Sequence, residues 1–145
     1  MKLSTKGRYG VRLMVDLALH YGEGQILLKD IAERQEISEK YLWQLIPPLK
    51  NAGLLSSMRG AHGGYTLAKL PARITLKDIV IAVEGPMCLV DCVDHPSVCS
   101  RADICVSRDV WREVSERILQ TLEAFTLENM VAQQQGKTKA LTYVI

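Results

Sequence analysis

The chain has no apolar run of the length a membrane span needs, which excludes a helical membrane protein. Its N-terminus lacks an apolar segment ending in a small-residue cleavage site, so the expected compartment is the reducing cytoplasm. No glycine-rich phosphate cradle opens a helix after a strand, because Gly60–Gly64 falls between two strand-like stretches. His20, His62 and His95 have no triad partners arranged around them, so no enzyme is expected. Excess charge of one sign is also small, at +2, but it is unevenly placed. Residues 1–70 carry ten Lys/Arg against six Asp/Glu, and residues 71–145 carry eight against ten. Any polyanion-binding surface therefore belongs in the first half.

What is present suits one compact domain, or a small domain with an appended oligomerisation arm. Ser4 to Tyr21 is apolar almost all round, the pattern of a buried helix capped by Ser4 or Thr5 and followed by Gly22 and Gly24. Ile26-Leu27 suits a short strand, and a brief helix over Leu28 to Gln35 would bury Leu28, Ile31 and Ala32. Ser38 caps a third helix with a Leu42, Leu45, Ile46 stripe. Pro47-Pro48 is expected to break it, leaving a straight Ser38–Ile46 segment and a separate turn over Pro47–Asn51. From Leu54 to Leu67 the period becomes that of strands, around a glycine-rich hairpin tip. Thr75 to Asp78 reads as a capping box opening a helix to about Glu84, which Gly85-Pro86 ends. A long helix from near Ser107 to Ala124 or Phe125 carries Trp111, Val114, Ile118, Leu122 and Phe125 at helical spacing. Thr126 caps a short last helix through Gln134, and the tail from Gly136 is expected to be mobile.

Three helices and a glycine-tipped hairpin in the first 70 residues spell a winged helix-turn-helix. A nine-residue reading helix, about 14 Å long, is comparable with a major groove about 12 Å wide. Ser38 and Lys40 suit phosphates, and Gln44 carries the bidentate amide that reads adenine. Tyr41 and Trp43 suit thymine methyls or sugars, and Arg59 at the hairpin tip suits a narrow minor groove. Plainer uses stand beside these: Arg59 as a solvated turn residue, Tyr41 as half-buried core, Trp43 as a contact to another helix or subunit.

All four cysteines lie within 18 residues, as Cys88-x3-Cys92-x6-Cys99-x5-Cys105, with His95, Asp91, Asp94 and Asp103 among them. Clustered thiolates hold soft metal centres. A disulfide framework conflicts with a reducing compartment, and inert core cysteines would be scattered rather than gathered in a polar loop. A zinc site and redox-active thiols remain alternatives.

The opening Met1-Lys-Leu-Ser-Thr-Lys-Gly-Arg-Tyr-Gly10, the Ile31-to-Leu42 turn and Gly53-to-Tyr65 together resemble the Rrf-two family of dimeric bacterial winged-helix transcription regulators. The resemblance covers residues 1–134. It implies a mainly α fold with a winged helix-turn-helix, a small β-hairpin wing, a cysteine loop and a long C-terminal dimerisation helix. The implied organisation is a DNA-binding domain over 1–84, a sensor loop over 85–106, the dimerisation helix and a short terminal helix over 107–134, and a flexible tail over 135–145. Implied DNA contacts are Ser38, Lys40, Tyr41, Trp43 and Gln44 on the reading helix and Arg59, Gly60 and His62 on the wing; the implied operator is a palindromic duplex. Trp111, Val114, Ile118, Leu122 and Phe125 would pair two subunits. Cys92, Cys99 and Cys105 match the family's thiolate ligands for an iron–sulfur cluster, 2Fe–2S or 4Fe–4S, with Cys88 or His95 as a possible fourth. The alternative is a cluster-free regulator using thiol redox chemistry or a protein partner. The sequence also departs from its iron–sulfur relatives. Its first cysteine gap is one residue longer, Arg108 stands where a histidine ligand is found, Arg8 replaces an acidic ligand of the first helix, and Trp43 replaces a glutamate of the reading helix.

Overall fold

Ser4 caps the first helix by accepting from the backbone N–H of Lys6, and the apolar stretch behind it forms α1 (Thr5–Leu19). Leu28–Gln35 forms α2, whose end is turned by Glu36 in the left-handed region (φ 53°). That turn seats Ile37 in the core and aims the chain into α3 (Glu39–Asn51), capped by Ser38. In this computed structural model, which describes residues 2–144, a hairpin of β1 (Leu55–Met58) and β2 (Gly64–Leu67) follows, then α4 (Leu76–Glu84). A one-turn α5 (Asp91–Asp94) lies in the cysteine loop, ahead of α6 (Val106–Ala124) and α7 (Leu127–Val144).

The fold is mostly helical, and the two strands pair antiparallel with Leu55 opposite Leu67 and Met58 opposite Gly64. The expected strand at Ile26 is a single bridge: Ile26 and Tyr65 exchange N–H···O bonds of 2.9 and 2.8 Å. This pins the wing to the segment before α2. Leu13, Met14, Ile31, Leu42, Leu49, Ile74, Ile79 and Leu127 are fully buried and join α1, α2, α3, α4 and the start of α7 in one core. The capping box at Thr75 and Asp78 is present, with bonds of 3.1 and 2.9 Å.

Two expectations fail. First, α3 is one 13-residue helix running through both prolines, not a nine-residue segment and a separate turn. Leu45, Ile46 and Leu49 are at most 5% exposed on its core side. Burying three aliphatic side chains at about 1.5–3 kcal/mol each offsets the roughly 3 kcal/mol that each internal proline costs. Second, the last helix does not stop at Gln134; it continues to Val144. Glutamines, lysines, Ala140 and Leu141 favour helix there, and Gly136 costs only about 1 kcal/mol. Ile145 lies outside the described residues.

The placement of α6 follows from its length. Its far end is fixed at the start of α4, where the Leu76 N–H donates to the Phe125 carbonyl at 2.8 Å and the Leu127 N–H to Ile74 at 2.9 Å. A 19-residue helix spans about 28 Å and the nine-residue α4 about 14 Å. Running back along α4, α6 therefore overshoots it by about half its length, and the cysteine loop sits at the overhanging end.

Candidate DNA-reading face and cysteine loop

Lys40, Trp43 and Gln44 share the exposed side of α3, with Trp43 56% exposed. Ser38 is committed to its cap, accepting from the Tyr41 N–H at 3.1 Å, while its exposed position leaves the helix N-terminus open to an anion. Tyr41 is half-buried and meets Tyr9 of α1 edge to face, ring centroids 5.4 Å apart. Both the core use and the contact use foreseen for Tyr41 are compatible with this position. Arg8 and Arg12 hold their guanidinium groups 5.7 and 5.5 Å from the Tyr9 ring, so a basic pair borders the same corner. Arg59, Gly60 and His62 stand apart from that face, exposed at the hairpin tip, where Gly60 adopts φ 105°.

The turn between α2 and α3 is clamped to α1 by residues the sequence reading passed over. Asp16, 1% exposed, accepts from Arg34 at 2.7 and 3.1 Å and from Gln35 Nε2 at 3.0 Å. Its hydrogen bond pushes the Arg34 pKa above the ordinary arginine value. Arg12 donates to the Gln35 side chain at 3.2 Å and to the Gln35 carbonyl. A lone aspartate inside an otherwise apolar helix was the available signal.

The loop disposes its thiols separately. Cys88 and Cys99 are exposed, Cys92 and Cys105 half-buried, and all four are free. Cys105 caps α6, its Sγ accepting from the Arg108 N–H at 3.4 Å. Arg108 Nε donates to the Cys92 carbonyl at 2.8 Å, tying the loop to α6. Cys88 Sγ donates to the Val90 carbonyl at 2.7 Å. Desolvation and the Asp94 carboxylate push the Cys88 thiol up, which keeps it protonated near neutrality. Three thiols in one solvent-reachable loop are the donor chemistry an iron–sulfur centre takes. Their geometry in this conformation does not fit one: among the described residues no three Cys, His, Asp or Glu side chains meet closely enough to hold a metal ion.

The end of α4, just ahead of the loop, is tied to the start of α1. Glu84, the last residue of α4, accepts from the N–H groups of Ser4 and Gly7 at 3.1 and 2.9 Å and from the Ser4 hydroxyl. A carboxylate is disfavoured at its own helix's C-terminus, but here it satisfies the open donors of the α1 N-terminus. Glycine at position 7 permits this, since a Cβ would lie 2.8 Å from Glu84 Oε1. An acidic residue at a helix C-terminus is the sequence signal for such a contact.

The family description "Iron-dependent Transcriptional regulator", for Rrf2, matches residues 3–133. The chain belongs to the Rrf2 family. Among curated relatives, the HTH-type transcriptional regulator CymR of Bacillus subtilis is 39% identical over 145 residues, covering all of both chains. The solved structure of CymR, titled the global cysteine regulator of B. subtilis, superposes with a TM-score of 0.76 at 41% identity, covering 92% of this chain and 98% of that one. The T. potens IscR structure gives 0.74 at 43% identity, covering 92% and 88%. The resemblance to Rrf2 regulators and the winged-helix fold class thus hold, and these relatives are transcription regulators, not enzymes. Among the described residues no helix is long and apolar enough to cross a membrane.

Proposed function

We propose that the chain is a homodimeric, duplex-DNA-binding transcription regulator whose grip on a palindromic operator is set by the state of its cysteine loop. The observation that carries this is the Glu84 contact: the residue next to the loop's hinge at Gly85 (φ 87°) holds the N-terminus of α1. From there α1 reaches the reading helix through Tyr9–Tyr41 and the α2–α3 turn through Arg12 and Asp16. A displacement of the loop therefore has a contiguous packed route to α3. Gln44, Trp43 and Tyr41 face the major groove in this reading, Ser38 and Lys40 the phosphates, and Arg59, Gly60 and His62 the minor groove. Dimerisation is supported by α6, an amphipathic helix with no buried residue, where Trp111 and Phe125 are 43% and 39% exposed and Val114, Ile118 and Leu122 half-buried. In a symmetric dimer the two reading helices must fit half-sites about 34 Å apart, so small shifts change affinity.

Two loop chemistries fit the residues. In the first, Cys92, Cys99 and Cys105, with Cys88 or His95 completing the set, would hold an iron–sulfur cluster in a loop conformation other than this one. Such a group, when bound, neutralises the thiolates and fixes the loop. In the second, the free and separated thiols act directly as redox switches, a reading favoured by their present positions. Iron and sulfide content with absorption spectra, taken on protein purified without oxygen, decides: charge-transfer bands and bound iron support the first, and their absence removes it. Operator titrations at two salt concentrations test DNA binding itself, because phosphate neutralisation requires a negative salt slope. Glu84→Ala should leave operator binding in place but blunt its response to the loop's state; an undiminished response removes the Glu84 route.

A further inference from the structure

In an α-helix the carbonyl of residue i accepts from the N–H of residue i+4. The partner position of Trp43 is Pro47, and α3 continues through Pro47 without a break. Proline has no N–H to offer, and its ring crowds the carbonyl one turn back, tilting it off the helix axis. Trp43 is 56% exposed and Pro47 is exposed, so this turn of the helix lies on the same side of α3 as Lys40 and Gln44. The Gln44 carbonyl loses its partner to Pro48 in the same way, but Pro48 is half-buried where Pro47 is exposed.

We infer that Pro47 makes the Trp43 backbone carbonyl a specificity-determining acceptor in the major groove. This rests on the DNA-binding reading of α3 and deepens it. A carbonyl only accepts, and the hydrogen-bond donors on major-groove base edges are the adenine N6 and cytosine N4 amino groups. The freed oxygen therefore selects adenine or cytosine and rejects guanine or thymine at one position of each half-site. It does so independently of the Gln44 amide, because a backbone atom cannot change rotamer. For a carbonyl open to water, binding exchanges one hydrogen bond for another, and discrimination arises where the base offers no donor.

The test is selection from a random duplex library, run in parallel with the full-length protein and with Pro47→Ala. Alanine restores the N–H while keeping the helix, so folding is not at risk. The native chain should restrict one position per half-site to adenine or cytosine, and the variant should relax that position alone. On the selected operator, replacing that base by an analogue lacking the amino group (purine for adenine, 2-pyrimidinone for cytosine) should weaken native binding about three- to ten-fold and leave Pro47→Ala binding unchanged. Identical selected sequences, or equal sensitivity of both proteins to the analogue, would overturn the inference. So would a change in selection without amino-group dependence, which would mark the proline ring as an apolar contact. If neither protein enriches any sequence, the DNA-binding reading of α3 falls with it.

Discussion

The body of the molecule and its cysteine-bearing arm are built on different terms. Every buried apolar side chain among the described residues, apart from Ala102 and Leu127, lies between Leu13 and Val83. By contrast α6 is as amphipathic as α3 but buries no residue, and neither does α5. Val106, Val110, Trp111 and Phe125 stay largely in solvent, with Ile104 and Val98 exposed in the loop before them. The reading domain has its own core. In the proposed reading the arm takes its order from outside the subunit, from a second α6 along the exposed stripe and from the chemistry of its thiols. This is the physical condition for a sensor, since the least self-sufficient segment is the one an outside event can reshape.

Each half of that contrast can be broken separately. Trp111→Ala should weaken the dimer by about 3–5 kcal/mol once the ring is buried against its mate, while the unfolding of the body changes little. Sedimentation over a dilution series reads this, and an unaltered profile at low concentration removes Trp111 from the interface. Leu42→Ala does the opposite, destabilising the body by about 2–5 kcal/mol in denaturant unfolding because the side chain is fully buried. A loss under 1 kcal/mol would contradict the core assignment. Arg59→Ala should cost about 1–3 kcal/mol of operator affinity with unchanged thermal stability, since the residue is exposed at the hairpin tip; unchanged affinity removes the wing contact. The smallest effect is on reactivity. With its thiol pushed up by desolvation and Asp94, Cys88 should be alkylated by iodoacetamide with a pH midpoint above the ordinary thiol range. Asp94→Asn should lower that midpoint, and a midpoint indifferent to Asp94 would discard the pairing.

Local chemistry was legible wherever a short motif decides the backbone. The Ser38 cap, the Thr75–Asp78 box and the α2 limits appear as read, because each depends on neighbours a few residues apart. Pro47-Pro48 misled because a propensity rule was applied without knowing how firmly Leu45, Ile46 and Leu49 would anchor the same turn. The end of the last helix misled for the converse reason: residues 135–143 are exposed, yet they favour helix and one glycine is too small a penalty to stop it. In the candidate site, residue types were visible but convergence was not. Four thiols in 18 residues named the donors, whereas their separation, and the use of Arg108 to hold Cys92, depend on how loop and α6 fold on each other. The Glu84 contact spans residues 77 and 80 positions apart, which no local pattern reports.

The central claim is that the loop's state governs the reading helices. Its most direct test is operator affinity measured on one anaerobic preparation, before and after its iron is removed or its thiols are oxidised, at fixed salt. The account predicts affinities differing by about five- to 150-fold, the range of coupling between linked sites, with the difference shrinking in Glu84→Ala. Equal affinities in every loop state would contradict it.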